Sequence, residues 1–381
     1  MPVDSETAAL ATLAGRGLAG AARRVEEVHQ AIADRSFRSP GARPARAIHD
    51  AVAGAVYSGV RGGAHLAGRA VAATAADRRV SGTPRGALAQ SVLNGFLGDQ
   101  LEEECSPLAV PMAIRHDGED VELTPAGLGA AFPDATGRIV VFVHGLCEDE
   151  NAWKLRAARR GGTYATRLHD DLGVTPVSVR YNTGLPIAEN GRRLARLLER
   201  LAAAWPVTVG RVDLVGHSMG GLVGRAACHA GAARPDRWMR ALRTTVTLGT
   251  PHHGAPLEQA VDVADRLLRL APESTPFATV LGLRSSGIKD LRAGFDAPLH
   301  DGARHYAVAA TLTRGDRHAL ARVLGDTLVL VPSAHGRGRG GRRTGFGDDD
   351  VRHLGGADHL ALLNHPAVEK LLMAWLAGDE A

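Results

Sequence analysis

The stretch VDLVGHSMGGLVGRAA, residues 212–227, places a serine where two kinds of secondary structure meet. Val212–Val215 predicts a buried strand, and the residues that follow GHSMG predict a helix. A strand that turns directly into a helix crowds the residue at the bend, so Gly216 and Gly220 must be small. The bend lifts the hydroxyl of Ser218 clear of both elements, with the helix N-terminus beneath it. The spacing therefore predicts that Ser218 is a nucleophile.

A serine hydroxyl is a poor nucleophile at neutral pH and needs a histidine and an acid to activate it. The chain order Ser, Asp, His predicts an aspartate after a later strand. Asp326 in LGDTLVLVPSA lies at a loop tip before an apolar run, and it is the first choice. Asp316 is the alternative. The acidic run 348–350 lies beside a glycine-rich loop, which is typical of solvated surface charge.

Several histidines compete for the role of the base. His359, in GGADHLALLNHPAV, follows a glycine pair and precedes an apolar segment, so it lies in a loop that could reach over a sheet. His365 precedes a proline at a predicted helix start and is interpreted as structural. His252 and His253 come before any suitable acid, and no spaced set of further ligands accompanies them. The sequence predicts neither a metal nor a cofactor.

Acyl chemistry also requires two N–H groups for the oxyanion. The predicted strand in VVFVHGLCE ends at His144-Gly145-Leu146. The backbone N–H groups of Leu146 and Met219 are the expected oxyanion donors, since one follows a strand and the other follows the nucleophile. His144 is interpreted as a hydrogen-bonded residue of the loop.

Elements that could position these residues alternate regularly from residue 138 onward. Residues 161–171 predict a helix, and ENGRRLARLLERLAAAW predicts another, with its leucines on one face. Strands alternating with helices predict a mostly parallel sheet covered by helices on both faces. Asp117-Gly118 predicts a type I′ hairpin, with an antiparallel pair at the sheet edge. We expect a helical N-terminal region, 1–106, and a catalytic domain, 107–381. The insertion 252–304 is either a lid or a helix packed on the body.

Composition narrows the classes of function. The 381 residues are 45% hydrophobic, and the formal net charge of +4 is too small to indicate nucleic acid as a partner. Three cysteines imply no disulfide framework. The N-terminus lacks a basic start before an apolar core, and no apolar run reaches membrane-spanning length. The expected location is the cytoplasm. Peripheral contact with a membrane is left open, as is the oligomeric state.

Five segments together resemble one protein superfamily. VFVHGL, GHSMGGLV, LGTPHHGAPLE, GDTLVLVPSA and DHLALLNHP are similar, in this order, to motifs of the α/β-hydrolase superfamily. Within it they are most similar to the lipase and esterase branch, including the GPI inositol-deacylase-like group. The resemblance covers about residues 107–378. It implies the α/β-hydrolase fold, and it implies the same roles for the site residues: nucleophile Ser218, acid Asp326, base His359, and oxyanion donors Leu146 and Met219.

The leading hypothesis is a serine hydrolase that cleaves carboxylic esters, with lipid esters among the candidates, through an acyl-enzyme intermediate. An acyltransferase with the same triad is an alternative, because an alcohol can replace water in the second step. A lipid- or protein-binding module without catalytic activity is a further alternative, in which the N-terminal helices would be the working part.

Overall fold

The computed structural model describes residues 5–36, 43–74, 80–233, 236–255, 285–313, 326 and 328–378. The chain divides into two compact units. One contains the described residues up to Gln90 together with Leu101–Ala109, and the other contains Ser91–Gln100 and most of the described chain from Val110 onward. The predicted boundary after residue 106 stays a prediction.

The first unit is helical. Its helices α1 (Glu6–Ser36) and α2 (Arg43–Thr74) pack against each other, and an ion pair joins Glu26 of α1 to Arg61 of α2. Among the described residues, no helix combines the length and the hydropathy that a membrane crossing requires. The predicted cytoplasmic location stays a prediction.

Among the described residues of the second unit, eight strands form one sheet. They are β1 Ala113–His116, β2 Glu119–Asp120, β3 Arg138–Val143, β4 Thr175–Arg180, β5 Arg211–His217, β6 Leu242–Leu248, β7 Arg304–Thr311 and β8 Val351–Gly355. Their order across the sheet is β2-β1-β4-β3-β5-β6-β7-β8. The strands from β3 to β8 pair in parallel, whereas β1 is antiparallel to both of its neighbours.

The hairpin at the sheet edge follows from its turn residues. Asp117 has φ +47° and Gly118 has φ +85°, and positive φ at both central positions is what a type I′ turn requires. The turn pairs His116 with Glu119. The predicted antiparallel edge is thus confirmed.

Twelve α-helices are described. They are α1 Glu6–Ser36, α2 Arg43–Thr74, α3 Pro84–Glu103, α4 Pro125–Ala131, α5 Ala157–Arg160, α6 Tyr164–Leu172, α7 Ile187–Ala204, α8 Met219–Ala232, α9 Arg237–Ala241, α10 Ser286–Ala293, α11 Val331–Ala334 and α12 Pro366–Ala377. Short 3₁₀ turns cover Val80–Gly82, Glu150–Lys154, Arg339–Gly341, Asp348–Asp350 and His359–Leu362.

The central strands are buried on both sides, as a parallel sheet between helices requires. On β3, Val140 and Phe142 belong to one core cluster, which also contains apolar residues of α6 and α12. The alternate residues of β3 are equally buried. Helix α8 packs on β3, β5 and β6, and α7 packs on α8. The predicted mostly parallel sheet with helices on both faces is confirmed.

Two predictions about single elements need correction. The helix predicted over residues 161–171 begins later, at Tyr164, because Gly161 and Gly162 have positive φ and Thr163 caps the helix with its side chain. Strand β8 was not predicted. It forms the sheet edge beside β7, and none of its residues is fully buried, so its sequence VRHLG carries no apolar pattern.

Most of the predicted insertion 252–304 lies outside the described residues. Within that range the structure describes residues up to 255 and from 285 onward. Whether the insertion is a lid stays a prediction. The alternative acid Asp316 also lies outside the described residues.

Candidate active site

Ser218 lies between β5 and α8 in a conformation that few residues adopt. Its φ is +53° and its ψ is −123°, and its amide donates to the carbonyl of Leu248 at 2.8 Å. A Cβ atom on Gly216 would come within 2.5 Å of the amide nitrogen of Gly221, and one on Gly220 would come within 2.5 Å of the carbonyl oxygen of His144. Both positions therefore exclude side chains, and the strained elbow predicted from the sequence is present.

Asp326 and His359 lie side by side although 33 residues separate them in the chain. Oδ2 of Asp326 lies 2.7 Å from Nδ1 of His359, and both side chains are buried. The other oxygen, Oδ1, accepts hydrogen bonds from the amides of Leu328 at 3.0 Å and Val329 at 2.8 Å. The amide of His359 in turn donates to the carbonyl of Asp326. These bonds hold the carboxylate and the imidazole in one relative orientation.

Ser218 and His359 line the same pocket. Apart from these two residues, the lining consists of six apolar residues and one glutamate, namely Leu146, Pro251, Ala255, Leu291, Leu328, Val329 and Glu148. Nε2 of His359 is buried and has no hydrogen-bond partner among the described residues. An unpaired buried nitrogen is costly unless a ligand or reacting group completes it. The nitrogen that a base would use is therefore available at the pocket that Ser218 lines.

Two opposing effects set the pKa of His359. Burial disfavours the charged imidazolium, but the charge of Asp326 and its hydrogen bond to Nδ1 favour it, and the net effect raises the pKa. Asp326 also fixes the tautomer, because Nδ1 must carry a proton to donate to the carboxylate, which leaves Nε2 as an acceptor in the neutral ring.

Both residues that are predicted to donate to the oxyanion are near Ser218, since Met219 follows it in the chain and Leu146 lines the same pocket. Leu146 is in a turn closed by the bond from the amide of Glu148 to the carbonyl of Gly145, and it lines the pocket. Met219 is the first residue of α8, where no intrahelical carbonyl is available to its amide. Register places Val143 of β3 beside Gly216 of β5, so the two segments reach the same end of the sheet.

The remaining histidine candidates have structural partners. His252 is fully buried, with Nδ1 3.0 Å from the guanidinium of Arg225 and Nε2 3.2 Å from the hydroxyl of Thr247. His365 caps α12, since its Nδ1 accepts from the amide of Ala367 at 3.1 Å. No group of three or more ligand side chains that could hold a metal occurs in the described parts of the chain.

Two residues beside Ser218 were missed in the sequence. Glu148 lines the pocket, and its Oε2 lies 3.0 Å from Nδ1 of His217, the residue that precedes the nucleophile. Both side chains are buried. The acidic run that follows HGLC and the histidine in GHSMG were the available signals.

Part of the chain matches the model of a known protein family. A family model described as "PGAP1-like alpha/beta domain" matches residues 188–272. The search of curated proteins found no match.

Solved structures give distant matches. The mature lipase BlEst2 of Bacillus licheniformis is 22% identical, with 63% of this chain and 91% of that chain covered and a TM-score of 0.42. The RedJ thioesterase of Streptomyces coelicolor is 19% identical, with 64% and 86% covered and a TM-score of 0.39. The NocB thioesterase domain is also 19% identical, with 64% and 96% covered and a TM-score of 0.39. The mostly parallel sheet covered by helices is the architecture that the predicted resemblance implies. Over residues 188–272 the chain is similar to the PGAP1-like alpha/beta domain.

Proposed function

We propose that this chain is a serine hydrolase that cleaves carboxylic esters, with Ser218 as nucleophile, His359 as base and Asp326 as the acid that orients it. The observation that carries the proposal is the 2.7 Å contact between Asp326 and His359, with the unpaired Nε2 of His359 at the pocket that Ser218 lines. A histidine with one nitrogen bound to a carboxylate and the other free is the arrangement that activates a serine.

The reaction follows from these positions. Oγ of Ser218 attacks the ester carbonyl carbon while its proton passes to Nε2 of His359. The N–H groups of Leu146 and Met219 are proposed to bind the resulting oxyanion. Collapse of the tetrahedral intermediate expels the alcohol, which takes the proton from His359. Water, deprotonated by the same histidine, then attacks the acyl-enzyme and releases the acid.

The lining of the pocket supports an apolar acyl group as the bound part of the substrate. Six of its nine residues are apolar, and Glu148 is the one carboxylate besides the reacting residues. A negatively charged acyl group would lose its hydration in this apolar lining without an arginine or lysine among its described residues to pair with it, and it would bind poorly. We therefore propose small-molecule or lipid esters with uncharged acyl chains, and contact with a membrane surface stays a prediction.

Ser218→Ala tests the assignment directly. Alanine fits the elbow as well as serine, so the fold should persist while hydrolysis of p-nitrophenyl esters falls by about 10⁶ in kcat. Turnover is measured on p-nitrophenyl esters of increasing acyl length. A fluorophosphonate label measures whether residue 218 can be modified covalently. Ser333→Ala is the matched control, because Ser333 is as buried as Ser218 (7% against 8% exposed) and lies outside the pocket. Activity of Ser218→Ala within tenfold of the wild type would refute the assignment.

The same assay separates hydrolysis from acyl transfer. With an added alcohol, a hydrolase releases mainly the free acid, whereas an acyltransferase diverts the acyl group into a new ester. Failure of the wild-type protein both to turn over esters and to take the label would favour a binding module without catalytic activity.

A further inference from the structure

A buried carboxylate lies beside the nucleophile, and the proposed reaction does not use it. The side chain of Glu148 is 4% exposed and lines the pocket with Ser218. A Cβ atom added to Gly145 would lie 3.0 Å from Oε2 of Glu148 and 3.0 Å from Cβ of Ser218, so these two atoms flank the same point. A negative charge here opposes an oxyanion that develops on the substrate, unless another group balances it.

His217 lies where a positive charge would supply that balance. Its Nδ1 lies 3.0 Å from Oε2 of Glu148, and its Nε2 lies 3.4 Å from the carbonyl oxygen of His359. Both partners are acceptors, so a ring that is protonated on both nitrogens donates to both. The ring is completely buried, and its centroid lies 4.7 Å from that of His359. Burial would raise the pKa of Glu148, but the charge of His217 and hydrogen bonds from His217 and Gly145 lower it below its usual range.

Glu148 also closes the turn that carries a proposed oxyanion donor. Its Oε2 accepts from the amide of Gly145 at 2.7 Å, and its own amide donates to the carbonyl of Gly145 at 3.3 Å. Leu146 lies between these two bonds. The next residue, Cys147, has φ +61° and donates from its amide to the hydroxyl of Thr183 at 3.2 Å. The side chain of Glu148 thus helps to fix the conformation of the turn through its hydrogen bond to the amide of Gly145.

We propose that Glu148 and His217 form a buried ion pair that positions the Leu146 turn and cancels the carboxylate charge beside the oxyanion. Both are positioning residues, since they act through the turn and through the backbone of His359. This inference rests on the proposed function. It assigns His217 a role that is needed only while Glu148 is charged.

Three variants test the pair: His217→Gln, Glu148→Gln and the double variant. Glutamine keeps a hydrogen-bonding group at either position but removes its charge. We expect His217→Gln to lower kcat for p-nitrophenyl butyrate by about 10², as removal of an oxyanion donor does, with KM within twofold. We expect the kcat of the double variant to be at least tenfold higher than that of His217→Gln, because the double variant no longer buries an unpaired carboxylate. A role in packing alone predicts that the double variant is at least as slow as His217→Gln.

Glu150→Gln is the matched control. Glu150 is a buried carboxylate two residues further on, where it accepts from Arg180 at 2.6 Å and from Arg115 at 3.2 Å, and it does not line the pocket. Glu150→Gln should lower the melting temperature and leave kcat unchanged.

The outcomes separate cleanly. Wild-type protein that is inactive and unlabelled by fluorophosphonate refutes the proposed function. An active wild type refutes the ion-pair role if His217→Gln keeps kcat within twofold, or if the double variant shows no recovery. If His217→Gln does not fold, the double variant is compared with Glu148→Gln. If the double variant and Glu148→Gln have equal kcat values, the result supports the ion pair. A lower kcat in the double variant than in Glu148→Gln refutes it.

Discussion

The ring of His359 is subject to opposing influences on its protonation, and their balance is measurable. Burial alone would lower its pKa, but the contact with Asp326 raises the pKa above the ordinary value of 6.5. A general base must be neutral to accept a proton, so activity rises as the pH increases through this pKa. We expect the acidic limb of kcat/KM against pH to lie above pH 6.5 in the wild type.

Asp326→Asn removes the main cause of the raised pKa of His359. The acidic limb should move to lower pH, because burial then acts on His359 without the carboxylate. The maximal kcat should also fall by roughly 10⁴, since an amide favours the wrong tautomer of the ring. Asp349→Asn, in the exposed acidic run, is the control and should change neither quantity. An unmoved limb in Asp326→Asn would exclude it as the partner of His359, and Asp316→Asn would then be the variant to measure.

At the scale of elements, the elbow depends on how closely α8 approaches β3. A Cβ atom on Gly220 would collide with the carbonyl oxygens of Val143 and His144. These are backbone atoms, so they cannot shift as the end of a flexible side chain can. Gly220→Ala should therefore displace the start of α8. We expect a loss of at least about 1–3 kcal/mol in the free energy of unfolding, as in overpacked cores, together with loss of ester hydrolysis.

Gly224→Ala is the control within the same helix. The nearest atom to its added Cβ would be a methyl carbon of Leu214 at 3.9 Å, which is ordinary contact. Alanine is the better helix former, so this variant should be neutral or more stable by up to about 1 kcal/mol. Thermal melts and the ester assay on both variants decide the point; equal behaviour of the two would contradict the steric account of the elbow.

At the scale of the whole molecule, the C-terminal segment that carries His359 is tied to α6, far earlier in the chain. The hydroxyl of Tyr164 donates to the carbonyl of Leu362 at 2.7 Å and accepts from the amide of His365 at 2.7 Å. Asn364 has φ +57°, and its side chain accepts from the amide of Tyr164 at 2.8 Å. These bonds end the turn His359–Leu362 at one defined place.

Tyr164→Phe leaves two backbone groups without their partner. We expect a loss of about 1–3 kcal/mol in the free energy of unfolding, the usual cost of an unsatisfied buried group, and a kcat several-fold lower because the His359 turn is less fixed. Melting temperature and kcat are the measurements. Tyr306→Phe is the control, because Tyr306 stacks its ring on Trp375 at 4.4 Å and phenylalanine keeps that contact. An unchanged melting temperature in Tyr164→Phe would contradict the anchoring role.

The features that the sequence determined by itself depend on neighbours in the chain. The crowding of Ser218 is a property of five consecutive residues, so GHSMG predicted the elbow with its two glycines. The turn at Asp117-Gly118 follows in the same way from two residues that accept positive φ. The leucines of α7 recur every three or four residues, and this spacing predicts a helix with one apolar face. In the structure all of these leucines are buried.

Only the tertiary structure decided the contacts between distant segments. Sequence order suggested Asp326 and His359 among several acids and histidines, but their 2.7 Å contact needs the folded sheet to exist. The pair of Glu148 and His217 spans 69 residues and arises because β3 and β5 pair in parallel, so that the residues after both strands reach one end of the sheet. Which strands become neighbours is a long-range property of the fold, because a continuous apolar run fits any interior position of a parallel sheet.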